Sequence, residues 1–316
     1  MTTYRNALPQ LGEELFLSDG GLETTLIFHD GIDLPHFASF VLMRDHDGID
    51  RLQNYYCSYL DIASKSGAGF ILESPTWRAN ADWGELLGYD AAALADVNRE
   101  SIELLERLRD SYRDDVGSIV ISGNIGPRGD GYVADCAMNA AEAADYHAAQ
   151  IGTFADTNAD MVCAITLTYV EEAIGIVNAA AAHNMPVAIG FTTETDGRLP
   201  SGQALQDAIE EVDAATNEAA AYFMVNCAHT EHFDAALRTG ERWTTRVKGI
   251  RANASRMSHA ELDNAEELDD GDPGEFGRLY RRLRERLPQL SVFGGCCGTD
   301  HRHIDEVCTA LCPVSM

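Results

Sequence analysis

Short apolar runs recur along this chain, and each is followed by a polar or glycine-rich turn and then by a stretch with helical spacing. Eight of the runs are predicted to be β-strands, at residues 15–18, 70–73, 119–122, 161–166, 187–191, 222–226, 246–250 and 292–294. Strands that alternate with helices are typical of a parallel sheet. Eight such units in 316 residues favour an α/β fold of the closed (β/α)8, or TIM, barrel type, with one domain spanning residues 1–316.

Helical spacing is clearest in two segments. Apolar residues at positions 94, 97, 102, 105 and 108 lie along one helical face, and those at positions 276, 279, 283, 287 and 290 form another. Gly67 and Gly69, just before the second predicted strand, indicate a helix end and a tight return of the chain.

The charge of the chain excludes several classes of partner. It has 23 Lys and Arg against 51 Asp and Glu, a formal net charge of −28, and its only lysines are Lys65 and Lys248. This charge repels phosphate, so neither nucleic acid nor an anionic membrane is expected as a partner. The N-terminus lacks the pattern of a signal peptide, and no apolar run reaches the roughly 18 residues of a membrane helix. We therefore expect a soluble, cytoplasmic protein.

Eight cysteines in a reducing compartment indicate metal binding, catalysis or simple burial rather than a disulfide framework. Cys227 directly follows the sixth predicted strand, and Cys296 and Cys297 follow the eighth. In a (β/α)8 barrel both strands end on the same C-terminal face, where active sites lie. Three thiolates brought together there predict a zinc site whose fourth position stays open for water or substrate.

The adjacent pair of cysteines needs a special backbone. Neighbouring residues of an extended strand point to opposite faces, so Cys296 and Cys297 cannot both bind one ion from within it. Gly294, Gly295 and Gly298 are predicted to supply the freedom that turns both sulfurs inward. Burial as small hydrophobic residues, or a redox-active disulfide between neighbours, are the alternatives.

The remaining cysteines, three histidines and two polar segments are predicted to be mainly structural or solvated. Five cysteines are predicted to be packing residues, at positions 57, 136, 163, 308 and 312. His229, His301 and His303 lie near the cysteine motifs, either as a fourth ligand or general base or as solvated loop residues. Residues 261–275, of which eight are acidic, are interpreted as a solvated loop, and residues 123–129 as a loop lining the barrel mouth.

The segment Asp19-Gly20-Gly21 follows the first predicted strand. Its carboxylate could meet a substrate ammonium while the two glycines allow close approach of the backbone; a turn or helix-capping role is the alternative.

Together these motifs resemble the homocysteine S-methyltransferase family of zinc-dependent (β/α)8 barrels. The similarity runs from Ser18-Asp19-Gly20-Gly21, through Asn226-Cys227, to the C-terminal segment GGCCGT at residues 294–299. The C-terminal segment is specific for the family, whereas the sequence DGG alone is weak.

The resemblance implies roles for individual residues. Cys227, Cys296 and Cys297 would hold Zn²⁺, and Asp19, beside Gly20, would meet the amino group of homocysteine. The backbone around Ser74 and Trp77 would receive the homocysteine carboxylate. Glu73 and Asn226 are also predicted to bind the substrate.

One departure from the family bears on the substrate. After the fourth strand the family usually has a Glu that also binds the homocysteine amino group, and Ile165 stands there in this chain. A charge-assisted hydrogen bond contributes about 1.5–3 kcal/mol, so its loss would weaken homocysteine binding roughly 10- to 100-fold. Either Glu73 or Glu194 compensates, or the acceptor is another thiol.

The donor side departs from the family as well. Arg251-Ala252-Asn253 replaces a usual Tyr-Pro-Asn turn, and Arg78 and Thr166 stand where the betaine-dependent enzymes have aromatic residues. Because the protein is so acidic, a substrate carboxylate needs local cationic or backbone donors, and Arg78, Arg128 and Arg251 are the first candidates.

The predicted function is therefore methyl transfer from a small onium donor to the thiol of homocysteine or a related thiol. S-methylmethionine is the preferred donor and betaine-like compounds come second, because a chain of this size has no room for separate folate or cobalamin modules. The alternative is a non-catalytic zinc- or thiol-binding barrel. The oligomeric state is not predicted.

Overall fold

The structure, a computed structural model, describes residues 2–134 and 137–312. Eight parallel strands form a closed barrel in which each strand pairs with the next and the eighth pairs with the first. The strands are β1 (Phe16–Ser18), β2 (Gly69–Glu73), β3 (Ile119–Ile125), β4 (Met161–Leu167), β5 (Val187–Phe191), β6 (Tyr222–Asn226), β7 (Val247–Ala252) and β8 (Val292–Gly295). The predicted (β/α)8 barrel is confirmed, and all eight predicted strands overlap observed ones.

Seven long helices surround the strands. They are α1 (His46–Ser66), α2 (Ala91–Ser111), α3 (Ala140–Ala155), α4 (Val170–Ala182), α5 (Leu205–Thr216), α6 (Pro273–Arg286) and α7 (His301–Leu311). Between β6 and β7 the described chain has only a four-residue helix, Thr230–Phe233, and a 3-10 turn, Arg242–Arg246. The remaining short helical segments are Pro9–Leu11, Leu22–Thr24, Thr25–His29, Pro35–Phe37, Ser39–Arg44, Ala81–Leu86 and His259–Asp263.

Glycine and proline residues determine where two of the helices end. Gly67 ends α1 with a φ of 72°, as predicted, because glycine adopts this left-handed conformation without steric cost. The helical spacing predicted over positions 276–290 runs past the end of the helix: α6 ends at Arg286, and Leu287, which precedes Pro288, has left the helical conformation with φ −124° and ψ 74°. Leu287 and Leu290 are nevertheless buried in the core beyond the helix.

The bottom of the barrel is closed by the N-terminal segment. The Asp160 carboxylate, just before β4, accepts hydrogen bonds from the amides of Thr3 and Tyr4 at 2.8 and 2.7 Å. The Ser291 hydroxyl, just before β8, donates to the carbonyl of Gln10, which is fully buried. Apolar side chains such as Ile71, Val120 and Met224 fill the barrel interior, so only the C-terminal ends of the strands remain open to a ligand.

Within the described residues, none of the helices is both long enough and apolar enough to span a lipid bilayer.

Candidate metal centre and substrate cavity

The structure brings the three predicted cysteines together at the C-terminal ends of β6 and β8. The sulfur atoms of Cys227, Cys296 and Cys297 all lie within 4.8 Å of one another, and those of Cys227 and Cys297 are 3.5 Å apart. Cys227 is buried, and the other two are partly exposed. Sulfur ligands of a tetrahedral zinc ion, each about 2.3 Å from the metal, have separations of this order.

Cys227 is held in an unusual backbone conformation. Its φ is 55°, a left-handed value that is uncommon outside glycine, so the surrounding structure must fix it. The Cys227 amide donates to the carbonyl of Arg251 at 3.0 Å. The Cys227 carbonyl accepts from His259 Nε2 at 2.9 Å and from the Thr192 hydroxyl at 3.1 Å. These bonds aim the sulfur away from the strand axis and toward the other two thiols.

Cys296 and Cys297 lie in a turn just beyond β8, not within the strand. The turn is closed by Thr299, whose amide and hydroxyl both donate to the Cys296 carbonyl, at 3.1 and 2.7 Å. Of the three glycines predicted to free the backbone, only Gly298 has a positive φ, 77°. Gly294 and Gly295 serve close packing instead, because a Cβ would collide with Ser18 and Thr299 respectively.

Tyr132, which the sequence did not suggest, completes the surroundings of the sulfurs. Its hydroxyl lies 3.3 Å from the Cys227 sulfur and 3.2 Å from the Cys297 sulfur. Its ring stacks on the His259 ring with centroids 4.1 Å apart. Its position in the sequence was the available signal, because Tyr132 closely follows residues 123–129, which were predicted to be a loop lining the barrel mouth. The loop prediction was wrong for residues 123–125, which belong to β3.

The pKa values of the cluster are shifted in different directions. Hydrogen bonds from Cys227 and Cys296 lower the pKa of Cys297 well below its ordinary value, whereas hydrogen bonds with Cys296 and Cys297, together with burial, raise the pKa of Cys227. Three converging sulfurs are the donor set that zinc favours, so the residues fit the predicted metal.

The sulfurs open into a cavity of about 360 Å³ at the barrel mouth. Its lining includes every residue that was predicted to bind the substrate except one: Asp19, Gly20, Glu73, Ser74 and Trp77. The exception among the described residues is Asn226. Its side-chain oxygen accepts from the Thr166 amide at 2.9 Å and its nitrogen donates to the Thr166 hydroxyl at 2.8 Å. Asn226 thus holds Thr166 in its left-handed conformation, with a φ of 64°.

Arg251, at the end of β7, lies between the two carboxylates of the cavity. Its guanidinium donates to Asp19 Oδ1 at 2.7 Å and to Glu73 Oε2, and its Nε donates to the Gly295 carbonyl at 3.1 Å. Arg251, Asp19 and Glu73 are all at least 95% buried. Burial raises the pKa of both carboxyl groups, and the adjacent guanidinium opposes that rise.

The two carboxyl groups have further neighbours besides Arg251. Asp19 Oδ2 accepts from the Tyr55 hydroxyl at 3.0 Å. The Cys163 thiol, within the barrel, lies in hydrogen-bond reach of Glu73. Cys163 is fully buried, as predicted, but it also supports Glu73. The pair of acids that the sequence assigned to substrate binding is therefore already bound by the protein itself.

Ser74 is similarly engaged within the protein. Its amide donates to the Ser122 carbonyl at 3.0 Å, and its hydroxyl accepts from the Asn124 amide at 2.9 Å. The other predicted compensating acid, Glu194, lies outside the cavity lining and bonds to His259 Nδ1 at 3.2 Å. Ile165, only 7% exposed, lines the cavity with an apolar side chain and accepts a bond from the Trp77 indole at its carbonyl.

The three arginines proposed to bind a substrate carboxylate differ in their contacts and in whether they line the cavity. Arg251 is bound to Asp19 and Glu73, and Arg128 is paired with Asp82 at 2.7 Å and does not line the cavity. Arg78 does line it, with its guanidinium carbon 4.1 Å from the ring centroid of Trp77 and 3.9 Å from that of Trp83. Its Nε is buried and has no hydrogen-bond partner within the described chain. Burial lowers the pKa of Arg78 to about 10, which leaves it charged at neutral pH.

The histidines predicted as alternative ligands do not join the sulfurs. His229 caps the helix Thr230–Phe233 by accepting from the Glu231 amide, and burial lowers its pKa to about 4. His303 is buried and bonds to the Asp270 carbonyl at 2.8 Å. His301 is exposed at the start of α7. Within the described residues, the candidate metal-binding group contains the three cysteines and none of these histidines.

The acidic segment 261–275 is more than the solvated loop that was predicted. Part of it forms the helix His259–Asp263, and Asp263, Glu267 and Asp269 line one side of the cavity. Asp269 is fixed by the Ser255 hydroxyl at 2.6 Å. This segment is part of the cavity wall as well as a solvated loop.

The seven cysteines that the structure describes are all free. Cys57, Cys308 and Cys312 lie apart from the cluster, on or at the end of α1 and α7, as expected of packing residues. Cys136, also predicted to pack, lies outside the described residues.

Fold and site define a class: a (β/α)8 barrel with three converging thiols, suited to hold a metal ion, beside a cavity at the barrel mouth. The sequence model of the homocysteine S-methyltransferase family matches residues 16–311. This chain belongs to that family and is an S-methyltransferase.

Individual relatives agree with this classification. Homocysteine S-methyltransferase 1 of Brassica oleracea var. italica is 22% identical over 89% of this chain and 88% of its own. The Arabidopsis thaliana protein of the same name is 20% identical over 92% and 91%. The metallated form of the homocysteine methyltransferase MmuM from Escherichia coli, 19% identical, superimposes with a TM-score of 0.73 over 96% of this chain and 98% of its own, which shows the shared fold.

Proposed function

We propose that this protein is a zinc-dependent methyltransferase that moves a methyl group from a small onium donor, of the S-methylmethionine type, to the thiol of homocysteine or a related thiol. The observation that carries the proposal is the convergence of three sulfurs within 4.8 Å at the mouth of the barrel, beside a cavity of about 360 Å³. The names of the plant and bacterial relatives support a homocysteine-type acceptor.

Cys227, Cys296 and Cys297 would hold the zinc ion. A free thiol with a pKa of about 8.5 is only about 3% thiolate at pH 7 and therefore a poor nucleophile. A zinc ion held by these residues would supply the Lewis acidity that keeps the acceptor thiol deprotonated at neutral pH. Tyr132 lines the cavity and has its hydroxyl within 3.3 Å of two of the sulfurs, so it would lie beside an acceptor thiol bound at the cluster.

The chain's own residues position the methyl donor. Phe28, Phe37 and Trp77 place aromatic side chains in the cavity wall, and aromatic faces attract onium cations. Glu23 lies in the same wall and accepts from the Ser39 hydroxyl at 2.7 Å; burial raises its pKa to about 7. Holding the methyl group in line with the acceptor sulfur supplies much of the rate enhancement.

A matrix of acceptors and donors tests the proposal. Zinc-loaded protein is incubated with several thiols, each with S-methylmethionine or betaine, and the methyl thioether product is measured by mass spectrometry. We expect product with at least one thiol and the sulfonium donor, and none with the Cys296→Ala variant. Absence of a thioether in every combination would refute methyl transfer to thiols.

A further inference from the structure

His259 lies beside the three cysteines without being one of the candidate metal ligands. Its side chain is buried, and its Nε2 donates to the Cys227 carbonyl at 2.9 Å. On the other side of the ring, Nδ1 lies 3.2 Å from Glu194 Oε1. The ring face stacks on Tyr132 with an angle of 12° between the two planes. One buried ring therefore joins the end of β6 to the segments that follow β3 and β5.

The backbone of Cys227 depends on contacts from outside its own strand. Its φ of 55° is disfavoured for a residue with a Cβ, and such a conformation persists only where the surroundings fix it. Two groups donate to the carbonyl of Cys227, namely His259 and the Thr192 hydroxyl, the latter at 3.1 Å. Because the orientation of this peptide group determines where the Cys227 side chain points, the two donors act on the sulfur through the backbone.

The same ring also supports Tyr132 and the cavity wall. The hydroxyl of Tyr132 lies within 3.3 Å of two of the three sulfurs, so the ring that stacks on Tyr132 helps to place that hydroxyl. His259 is the first residue of the helix His259–Asp263, and Asp263, at the other end of this helix, lines the cavity. Through His259, a helix of the cavity wall is therefore connected to the sulfur cluster.

From these contacts we infer that His259 is a positioning residue. It holds Cys227 in its left-handed conformation and Tyr132 against the sulfurs, so that the three thiols are arranged for the metal before it binds. This inference rests on the proposed function and deepens it, because the zinc affinity then depends on a residue that does not bind zinc itself. Removing a group that orients a metal ligand typically weakens metal binding roughly 10- to 100-fold.

Two amide variants isolate the hydrogen bond to Cys227. In His259→Gln the amide nitrogen can reach the position of Nε2 and donate to the carbonyl, whereas the shorter side chain of His259→Asn reaches only the position of Nδ1. Both variants lose the ring, and neither side chain is charged. Zinc affinity is measured by competition with a chromogenic chelator. We expect His259→Asn to bind zinc roughly 10- to 100-fold more weakly than His259→Gln. Equal affinities in the two variants would overturn the inference.

Another histidine that bonds to a backbone carbonyl is the matched control. His232 Nε2 lies 3.0 Å from the carbonyl of Arg256, which is not a candidate ligand. We expect His232→Asn to keep the zinc affinity of the unaltered protein, and a loss as large as that in His259→Asn would overturn the inference. If the unaltered protein binds no zinc, the proposed function itself fails. If it binds zinc and every variant binds it equally well, only the role of His259 fails.

Absorption of the cobalt-substituted protein is a second readout, which a merely structural role of His259 would not change. Cobalt(II) bound by thiolates has charge-transfer bands whose intensity rises with the number of bound sulfurs. With the site saturated with cobalt, we expect weaker bands in His259→Asn than in His259→Gln, because the Cys227 sulfur is no longer held toward the metal. Identical spectra of the two saturated variants would overturn the assignment of His259 as the residue that positions Cys227.

Discussion

Single residues decide the chemistry of this site, and the sequence revealed some of them better than others. Cys227, Cys296 and Cys297 were predictable because their positions after strands, beside glycines, are local features of the chain. Tyr132 and the pairing of Arg251 were not predictable, because contacts between residues more than 90 positions apart depend on how the barrel closes. Asp19 was correctly placed in the cavity, but its partner was not foreseen.

Removing one sulfur should release the metal. Cys296→Ala leaves two of the three ligands, so we expect the zinc content of the purified protein to fall from about one ion to near zero. Metal analysis by mass spectrometry measures this directly. Cys57→Ala, which removes a thiol outside the cluster, is the matched control and should keep its zinc. Retention of zinc by the Cys296 variant would show that the ligands are misassigned.

Ile165→Glu should restore recognition of an amino group. The new carboxylate is not among those that Arg251 already binds, and one charge-assisted hydrogen bond contributes about 1.5–3 kcal/mol, so homocysteine affinity should rise roughly 10- to 100-fold. Calorimetric titration of zinc-loaded variants gives the comparison. Ile165→Gln, of nearly equal shape but uncharged, is the control; equal affinities in the two variants would contradict the argument.

At the level of secondary structure, the apolar runs predicted the existence and order of all eight strands. They did not predict several of the strand boundaries. β3 and β7 extend three and two residues beyond their predicted ends, because pairing with neighbouring strands continues where the apolar pattern stops. The extension of β7 brings Arg251 to the cavity. The acidic segment after β7 was visible from composition, yet its place in the cavity wall depends on tertiary contacts such as that between Ser255 and Asp269.

The N-terminal cap of α7 is predicted to stabilise the folded protein. Asp300 caps the helix by accepting from the Arg302 amide at 2.8 Å, and its carboxylate also pairs with the Arg302 side chain. Replacing a capping Asp by Ala typically costs about 0.5–2 kcal/mol, so Asp300→Ala should lower the free energy of unfolding by that amount in denaturant titrations. Asp305→Ala, at an exposed position of the same helix, is the control and should have a negligible effect.

The effect of Asp300 should depend on pH. Burial disfavours its charge, but hydrogen bonds from His303 and Arg302 hold the pKa of Asp300 below its ordinary value. A carboxyl group with a depressed pKa stabilises the folded state above its unfolded pKa of about 3.9, and this contribution is lost as the pH falls toward the folded value. The stability difference between the protein and Asp300→Ala should therefore shrink between pH 6 and pH 3. A constant difference would contradict the assigned ionisation.

The whole molecule is dominated by its net charge of −28. Like charges on a compact surface repel one another and destabilise the folded state, and salt screens this repulsion over about 10 Å at 0.1 M but about 3 Å at 1 M. The charge was fully evident from composition, and it led us to expect no phosphate-rich partner without indicating an activity. Inside so acidic a protein, a bound carboxylate needs local cationic or backbone donors, and Arg78 is one cation in the cavity wall.

Salt should stabilise the protein. We expect Tm to rise steadily as KCl increases from 0.1 to 2 M, because screening relieves repulsion in the folded state. Sucrose at matched osmolality, which does not screen charge, is the control and should raise Tm less. Equal effects of the two solutes would show that surface repulsion is not what limits stability.

The proposed function requires that a substrate thiol binds directly at the zinc held by Cys227, Cys296 and Cys297. X-ray absorption spectroscopy of the zinc-loaded protein counts the sulfur neighbours of the metal without and with an added thiol. We predict three sulfur neighbours and one lighter atom in the resting protein, and four sulfur neighbours after the thiol is added. A coordination shell that stays unchanged at saturating thiol would contradict the proposed function and indicate a closed, structural zinc site.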